Sequence, residues 1–201
     1  MKPTQVLESE HRVIEQVLDC LDRMAERCES EGRLDARSAR DAVDFFRTFA
    51  DRCHHGKEEE QLFPMMEARG FPAGAGPLAV MRVEHDHGRA FVRGMESAID
   101  GAAAGDAERC RAWLHDARGF STLLREHIRK EDHCLFPMAD GAFSENDQLE
   151  LARAFERVEH VDIGAGVHER CLRLANDLAD RYGVAKDRVP QGACASGCTG
   201  H

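Results

Sequence analysis

Aromatic side chains are scarce in this chain: 6% of 201 residues, with one tryptophan and one tyrosine, and runs of β-branched residues are missing. Strands draw on those residue types, so their scarcity beside plentiful Ala, Leu, Glu and Arg argues for helices. No stretch approaches the roughly 18 apolar residues of a membrane span, and Met1 to Glu10 holds no apolar core of a secretion signal. A membrane is therefore excluded as a partner, and a cytoplasmic location is expected. Positive charge is also short, with 27 Lys and Arg against 37 Asp and Glu and a net charge of -10. Such a surface does not attract phosphates, which excludes nucleic acid.

What is present fits one ordinary domain, 42% hydrophobic and 32% charged, expected over residues 1–183 and followed by a flexible cysteine-containing tail over 184–201. Six of the eight cysteines (Cys20, Cys28, Cys53, Cys110, Cys134, Cys171) fall singly inside helical patterns and read as reduced core or boundary thiols. The other two, Cys194 and Cys198, stand with His201 in the tail, where a Cys-x3-Cys lacking a fourth ligand is a weak metal signal.

Breakers divide the chain into five helical segments. The first opens at Pro3 and ends before Gly32; Asp35 caps the second, which runs to about Arg69. The loop 70–76 leads to a third helix from Pro77 to about Gly105, and a fourth spans Ala107 to Asp140. Ser144 caps a fifth, interrupted by Gly164-Ala165-Gly166 and ending near Tyr182. Connections this short join antiparallel neighbours, so the expected fold is all-α: an up-down-up-down four-helix bundle with an additional C-terminal fifth helix.

Apolar seams at helical spacing decide which histidines point inward. His11 lies in line with Leu7, Ile14, Leu18 and Leu21, and His85 with Leu78, Met81, Val92 and Met95; His87 falls about 200° away from His85 at 100° per residue. His127 and Glu131 share a seam with Trp113, Phe120, Leu124, Cys134 and Met138. His54 and Glu58 share one with Phe46, Ala50, Leu62 and Met65, whereas His55 follows Asp51 and Arg52 on a polar side. An internal repeat agrees: superposing Leu62-Phe63-Pro64 on Leu135-Phe136-Pro137 pairs His54 with His127 and Glu58 with Glu131. The Leu and Phe of each repeat are expected only to pack, and each Pro to bend its helix.

Depth gives an independent check. At about 1.5 Å per residue, His11 and His85 lie on the order of 10 to 12 Å from the N-terminal ends of their helices, and Glu58 and Glu131 on the order of 14 to 17 Å from the C-terminal ends of theirs. In an antiparallel bundle these are the same end. A lone His-x-x-x-Glu is ordinarily a surface pair, and a lone seam histidine ordinarily a hydrogen-bonded core residue. Four histidines and two glutamates at one level are different, because each unpaired buried carboxylate would cost several kcal/mol. Metal cations remove that penalty, and two His-x-x-x-Glu helices suggest a two-metal site.

The two repeats, with the pairs Glu10-His11 and Glu84-His85, resemble the hemerythrin-like (HHE cation-binding) family over about residues 4 to 140. The resemblance implies a helical bundle holding two Fe ions in an oxo- or hydroxo-bridged di-iron centre. His11, His54, His85 and His127 would be terminal ligands, and Glu58 and Glu131 bridges; Mn or Zn suit the same donors. The oxygen carriers of the family have a second histidine four residues after His85, and here that position is Arg89. The resemblance thus points away from reversible carriage, toward a bacterial subgroup that handles peroxide, nitric oxide or iron. The carriers' five-residue His-to-Asp spacing in the fourth helix would select Asp132, whereas the seam and the repeat select Glu131.

On the fifth helix His168 aligns with Leu172, Ala175 and Ala179, so it is a further candidate ligand with Glu159 nearby; a surface or capping role is the competing reading. The only tyrosine is Tyr182, which argues against radical chemistry beside the ligands. Three functions are expected to compete. One is binding or reduction of a small diatomic or peroxide ligand with an electron donor as partner, at a site open on the side lacking a third-helix ligand. The others are a non-catalytic sensor or iron store, and iron donation for iron-sulfur cluster repair. The related repair proteins carry an additional N-terminal cysteine-containing domain, which lowers the last expectation.

Overall fold

The computed structural model describes residues 1–186. Cys194, Cys198 and His201 lie outside the described residues, and of the expected tail only Val184, Ala185 and Lys186 fall within them. All regular structure among these residues is helical. The first helix, Pro3–Glu31, begins on a proline that loses no intrahelical bond there and ends at Gly32, whose left-handed φ of 68° lets its N–H reach the Cys28 carbonyl. Asp35 caps the second helix by accepting from the backbone N–H groups of Arg37 and Ser38. That helix covers 36–68; the third is Gly76–Ala103, the fourth covers 107–142 and the fifth 145–182.

The first four helices pack in cyclic order, each against the next and the fourth against the first, as the up-down-up-down reading requires. The fifth has two parts. Glu145–Arg157 starts at Ser144, whose hydroxyl accepts from the Asp147 N–H, and packs on the first helix and on 58–62. After a break at Gly164 (φ 103°) and Gly166 (φ 81°), Val167–Tyr182 runs along the first and second helices.

The second and fourth helices are not regular α-helices. The segments Phe46–His55, Glu58–Leu62 and Glu131–Leu135 are π-helical, closed by i→i+5 bonds such as Phe63 N–H to Glu58 and Phe136 N–H to Glu131. Pro64 and Pro137 follow directly, and neither can donate to the carbonyl four residues back; the widened turn before each accommodates that lost bond.

Wider turns rotate the buried stripe, and this corrects three expectations that rested on 100° per residue. His55 is buried, not on a polar side. Met66 rather than Met65 is fully buried after Leu62 and Phe63. In the fourth helix the stripe passes from Glu131 to Leu135, Phe136 and Ala139, leaving Cys134 and Met138 exposed. The six described cysteines are all free, and five are buried.

Two apolar clusters sandwich a polar layer. The larger fills the bundle around Leu18, Phe46, Met95 and Trp113. The smaller closes one end with Leu7, Leu78, Met81 and the Leu-Phe pairs Leu62-Phe63 and Leu135-Phe136. Tyr182 belongs to the larger cluster, its hydroxyl on Asp35 at the start of the second helix.

Candidate metal centre

Between the clusters, His11, His54, His85, His127, Glu58 and Glu131 converge, each at most 1% exposed. Glu58 sends Oε1 toward His54 Nε2 (3.6 Å) and Oε2 toward His85 Nε2 (3.4 Å). Glu131 sends Oε1 toward His127 Nε2 and Oε2 toward His11 Nε2, both at 3.2 Å. Each carboxylate therefore faces one histidine of each pair, His11 with His54 and His85 with His127. These approaches are too long or too poorly aligned to be hydrogen bonds: all four glutamate oxygens and the Nε2 atoms of His11 and His54 have no partner. The Nε2 atoms of His85 and His127 face each other at 3.0 Å. Buried polar atoms are almost always satisfied, so a layer of orphaned oxygens and imidazole nitrogens fits a cation-binding site.

The outward nitrogen of each imidazole is fixed. Nδ1–H donates from His11 to Asp132 (2.6 Å), from His54 to Glu10 (2.9 Å), from His85 to Glu59 (2.6 Å) and from His127 to Glu84 (2.9 Å). In the neutral ring Nδ1 holds the proton, which leaves the Nε2 lone pair aimed at the centre once the second proton is gone. Each outer carboxylate has a cation behind it: Arg12 on Asp132, Lys57 on Glu10, Arg89 on Glu59 and Lys130 on Glu84. The pairing crosses between helices, so Glu10 serves His54 rather than its neighbour His11. Phe136 stacks on His11 (5.4 Å) and Phe63 on His85 (6.0 Å), so the phenylalanines of the repeats also orient ligating rings.

Two further histidines bear on the site. His55, which sequence periodicity placed outside, lies face to face on His85 with ring centroids 3.8 Å apart. With Glu58, His85 and His127 it forms a set whose donor atoms all lie within 4.8 Å of one another; His11, His54, Glu58 and Glu131 form a second such set. His168 belongs to neither: its Nε2 lies 3.8 Å from Glu10, in a separate group with Glu159 into which the Lys57 ammonium is bonded. Arg89, which stands where the resemblance led one to look for a second third-helix histidine, spends its guanidinium on Asp51, Glu59 and Asp86. Glu59, the buried Lys57 and the role of Asp132 as an outer carboxylate rather than a ligand escaped sequence reasoning, although the repeat alignment pairs Glu59 with Asp132 and Lys57 with Lys130.

The layer demands positive charge. Burial would depress His11, but the Asp132 and Glu131 carboxylates overcome it and raise its pKa to about 9. Burial of His127 is likewise outweighed, first by the Glu131 charge, and its pKa rises to about 10. Glu131 is pulled well below the carboxylate range by His127 and His11 despite burial. Glu10, also opposed by burial, falls to about 2 beside Lys57 and His54. His55 goes the other way: burial first, then the neighbouring His85, keep it neutral. Protons on His11 and His127 supply the charge that bound cations would supply.

A helical bundle with two histidine pairs joined by two shared glutamates is the architecture of a cation-binding domain. The sequence profile of the hemerythrin HHE cation-binding domain matches residues 2–139, and the chain belongs to that family. It is 23% identical over 175 residues to an uncharacterized protein of Mycobacterium tuberculosis, covering 87% of this chain and 68% of that protein. It is similar to the iron-sulfur cluster repair protein YtfE of Musicola paradisiaca, 38% identical over 89 residues, covering 43% of this chain and 40% of that protein. The YtfE of Escherichia coli (strain SMS-3-5 / SECEC) is 33% identical over the same length. No solved structure matches. No helix among the described residues is long and apolar enough to cross a membrane.

Proposed function

We propose that this chain is a non-haem di-iron protein that binds or reduces a small oxidant: oxygen, hydrogen peroxide or nitric oxide. The observation that carries the reading is the pair of buried glutamates, Glu58 and Glu131, each with one oxygen toward either histidine pair and no hydrogen-bond partner. In this reading His11 and His54 hold one iron, His85 and His127 the other, and the two carboxylates are shared. Imidazole with carboxylate suits iron, and the repair function printed for the YtfE relatives supports iron over zinc. Bound iron would supply the electrons that a small oxidant accepts, an external donor restoring them.

The protein's own groups prepare the site. The carboxylates Asp132, Glu10, Glu59 and Glu84 hold the Nδ1 protons and keep each Nε2 free for a metal. Phe136 and Phe63 cover the His11 and His85 rings and, with Leu62 and Leu135, exclude water from that end.

Metal analysis and the visible spectrum of protein purified without chelator, before and after peroxide, test the proposal. Two irons per chain and visible bands that peroxide perturbs are expected, with both lost in His127→Ala. Zinc alone, or bands indifferent to peroxide, would overturn it. A second reading, iron donation for iron-sulfur cluster repair, is favoured by the similarity to YtfE over 89 residues; it predicts transfer of iron to a cluster-free acceptor protein. A sensor or store would hold iron without turnover.

A further inference from the structure

Among the histidines of the polar layer, His55 stacks on His85 but has no hydrogen bond. It is 5% exposed, neither ring nitrogen has a hydrogen-bond partner, and its nearest carboxylate, Asp51 Oδ1, is 3.6 Å from Nδ1 and engaged by Arg89. A buried donor or acceptor left unsatisfied is destabilising. The repeat shows that the slot does not need an imidazole, because the position equivalent to His55 in the fourth helix is Ile128, buried and apolar. The chain thus keeps two unsatisfied nitrogens where the other half of the repeat has an aliphatic side chain, and it keeps them on the ring of a candidate ligand, His85.

We infer that His55 is a fifth imidazole ligand, serving the metal position of His85 and His127 and making the two positions of the centre unequal. The inference rests on the proposed binuclear site and assigns to it a residue from the second helix. The set His55, Glu58, His85 and His127 brings four donor atoms within 4.8 Å of one another, and the π-helical turn ending at His55 delivers this side chain to the same layer as His54. The His85/His127 position then has three imidazoles and the His11/His54 position two. The coordination left for an exogenous ligand therefore shifts to the His11/His54 side, opposite to the side expected from the absence of a histidine at Arg89.

The test uses the full chain loaded with 57Fe, wild type against His55→Ile, which copies the other half of the repeat, and His55→Gln, which keeps a polar side chain. Mössbauer spectra of the wild type should resolve two iron environments; in His55→Ile one should change and the other persist, with one iron lost to a chelator at least tenfold faster. The metal-free His55→Ile protein should be no less stable than the metal-free wild type, since it removes two unsatisfied nitrogens, whereas a purely structural histidine would leave the variant less stable and its iron unchanged. If His55→Ile does not fold, His55→Gln is read by the same spectra and release rates. Spectra and release rates equal to wild type in a folded variant would overturn the role of His55 alone. A wild-type chain that takes up no iron pair would overturn the binuclear reading beneath it as well.

Discussion

The first two helices and the next two carry the same equipment under different cover. Glu10-His11 with His54, Lys57, Glu58 and Glu59 on one side corresponds to Glu84-His85 with His127, Lys130, Glu131 and Asp132 on the other. The internal contacts correspond as well: glutamate to the partner helix's histidine, lysine to that glutamate, phenylalanine onto the opposite half's imidazole. The environments do not. Lys57 is 0% exposed, bonded to Glu10 and to Glu159 of the fifth helix and lying over the Phe155 ring, whereas Lys130 is 39% exposed. Contacts follow from the repeated motif, while burial is set by what packs over it, so equivalent residues in the two halves should carry unequal energies.

The largest expected effect removes a group that both halves share. Glu131→Gln or Glu58→Gln should cost the protein most of both metal ions, read as metal content after reconstitution; loss of one ion alone would show that the halves do not depend on a common carboxylate. Next comes the lysine pair. Lys57→Met removes the cation from buried Glu10 and half-buried Glu159 and should lower unfolding free energy by about 3–5 kcal/mol. Lys130→Met, near the surface, should lower it by at most about 1 kcal/mol. Equal losses in urea denaturation would break the comparison.

A smaller effect concerns pH. His11 in one half and His127 in the other have pKa values raised from 6.5 to about 9 and about 10 in the metal-free chain. Their contribution is complete below about 6.5 and disappears as pH rises through 9 and then 10. Denaturant midpoints of metal-free protein from pH 6 to 11 should record this fall, and protein loaded with metal should not show it, because its Nε2 atoms carry no proton. Smallest is His168→Ala, expected to shift stability by under about 1 kcal/mol and to leave metal content intact, since this histidine touches Glu10 only at 3.8 Å.

Much of this was legible in the sequence. Caps at Asp35 and Ser144, the prolines and the Gly164–Gly166 break marked the helices to within a few residues, because local chemistry fixes such boundaries. The six inward residues were legible because periodicity, repeat and depth agreed on them. His55 was not, since periodicity assumes i→i+4 closure and the second helix changes to i→i+5 before reaching it. Nor were the crossed pairings: sequence adjacency in Glu10-His11 and Glu84-His85 conceals that each glutamate bonds a histidine of the next helix. Those partners are chosen by the packing of the bundle, which no single helix encodes.

The matched charges around the layer also decide what kind of molecule the centre would welcome. Each outer carboxylate is answered by its own cation, but Glu58 and Glu131 face only imidazoles. Their two negative charges are less than a pair of divalent ions would bring, so a loaded centre is left with a positive excess in a medium of low polarity. An anion entering it would gain more than a neutral molecule of the same size. The field set by two unaccompanied glutamates is in this sense a filter on charge.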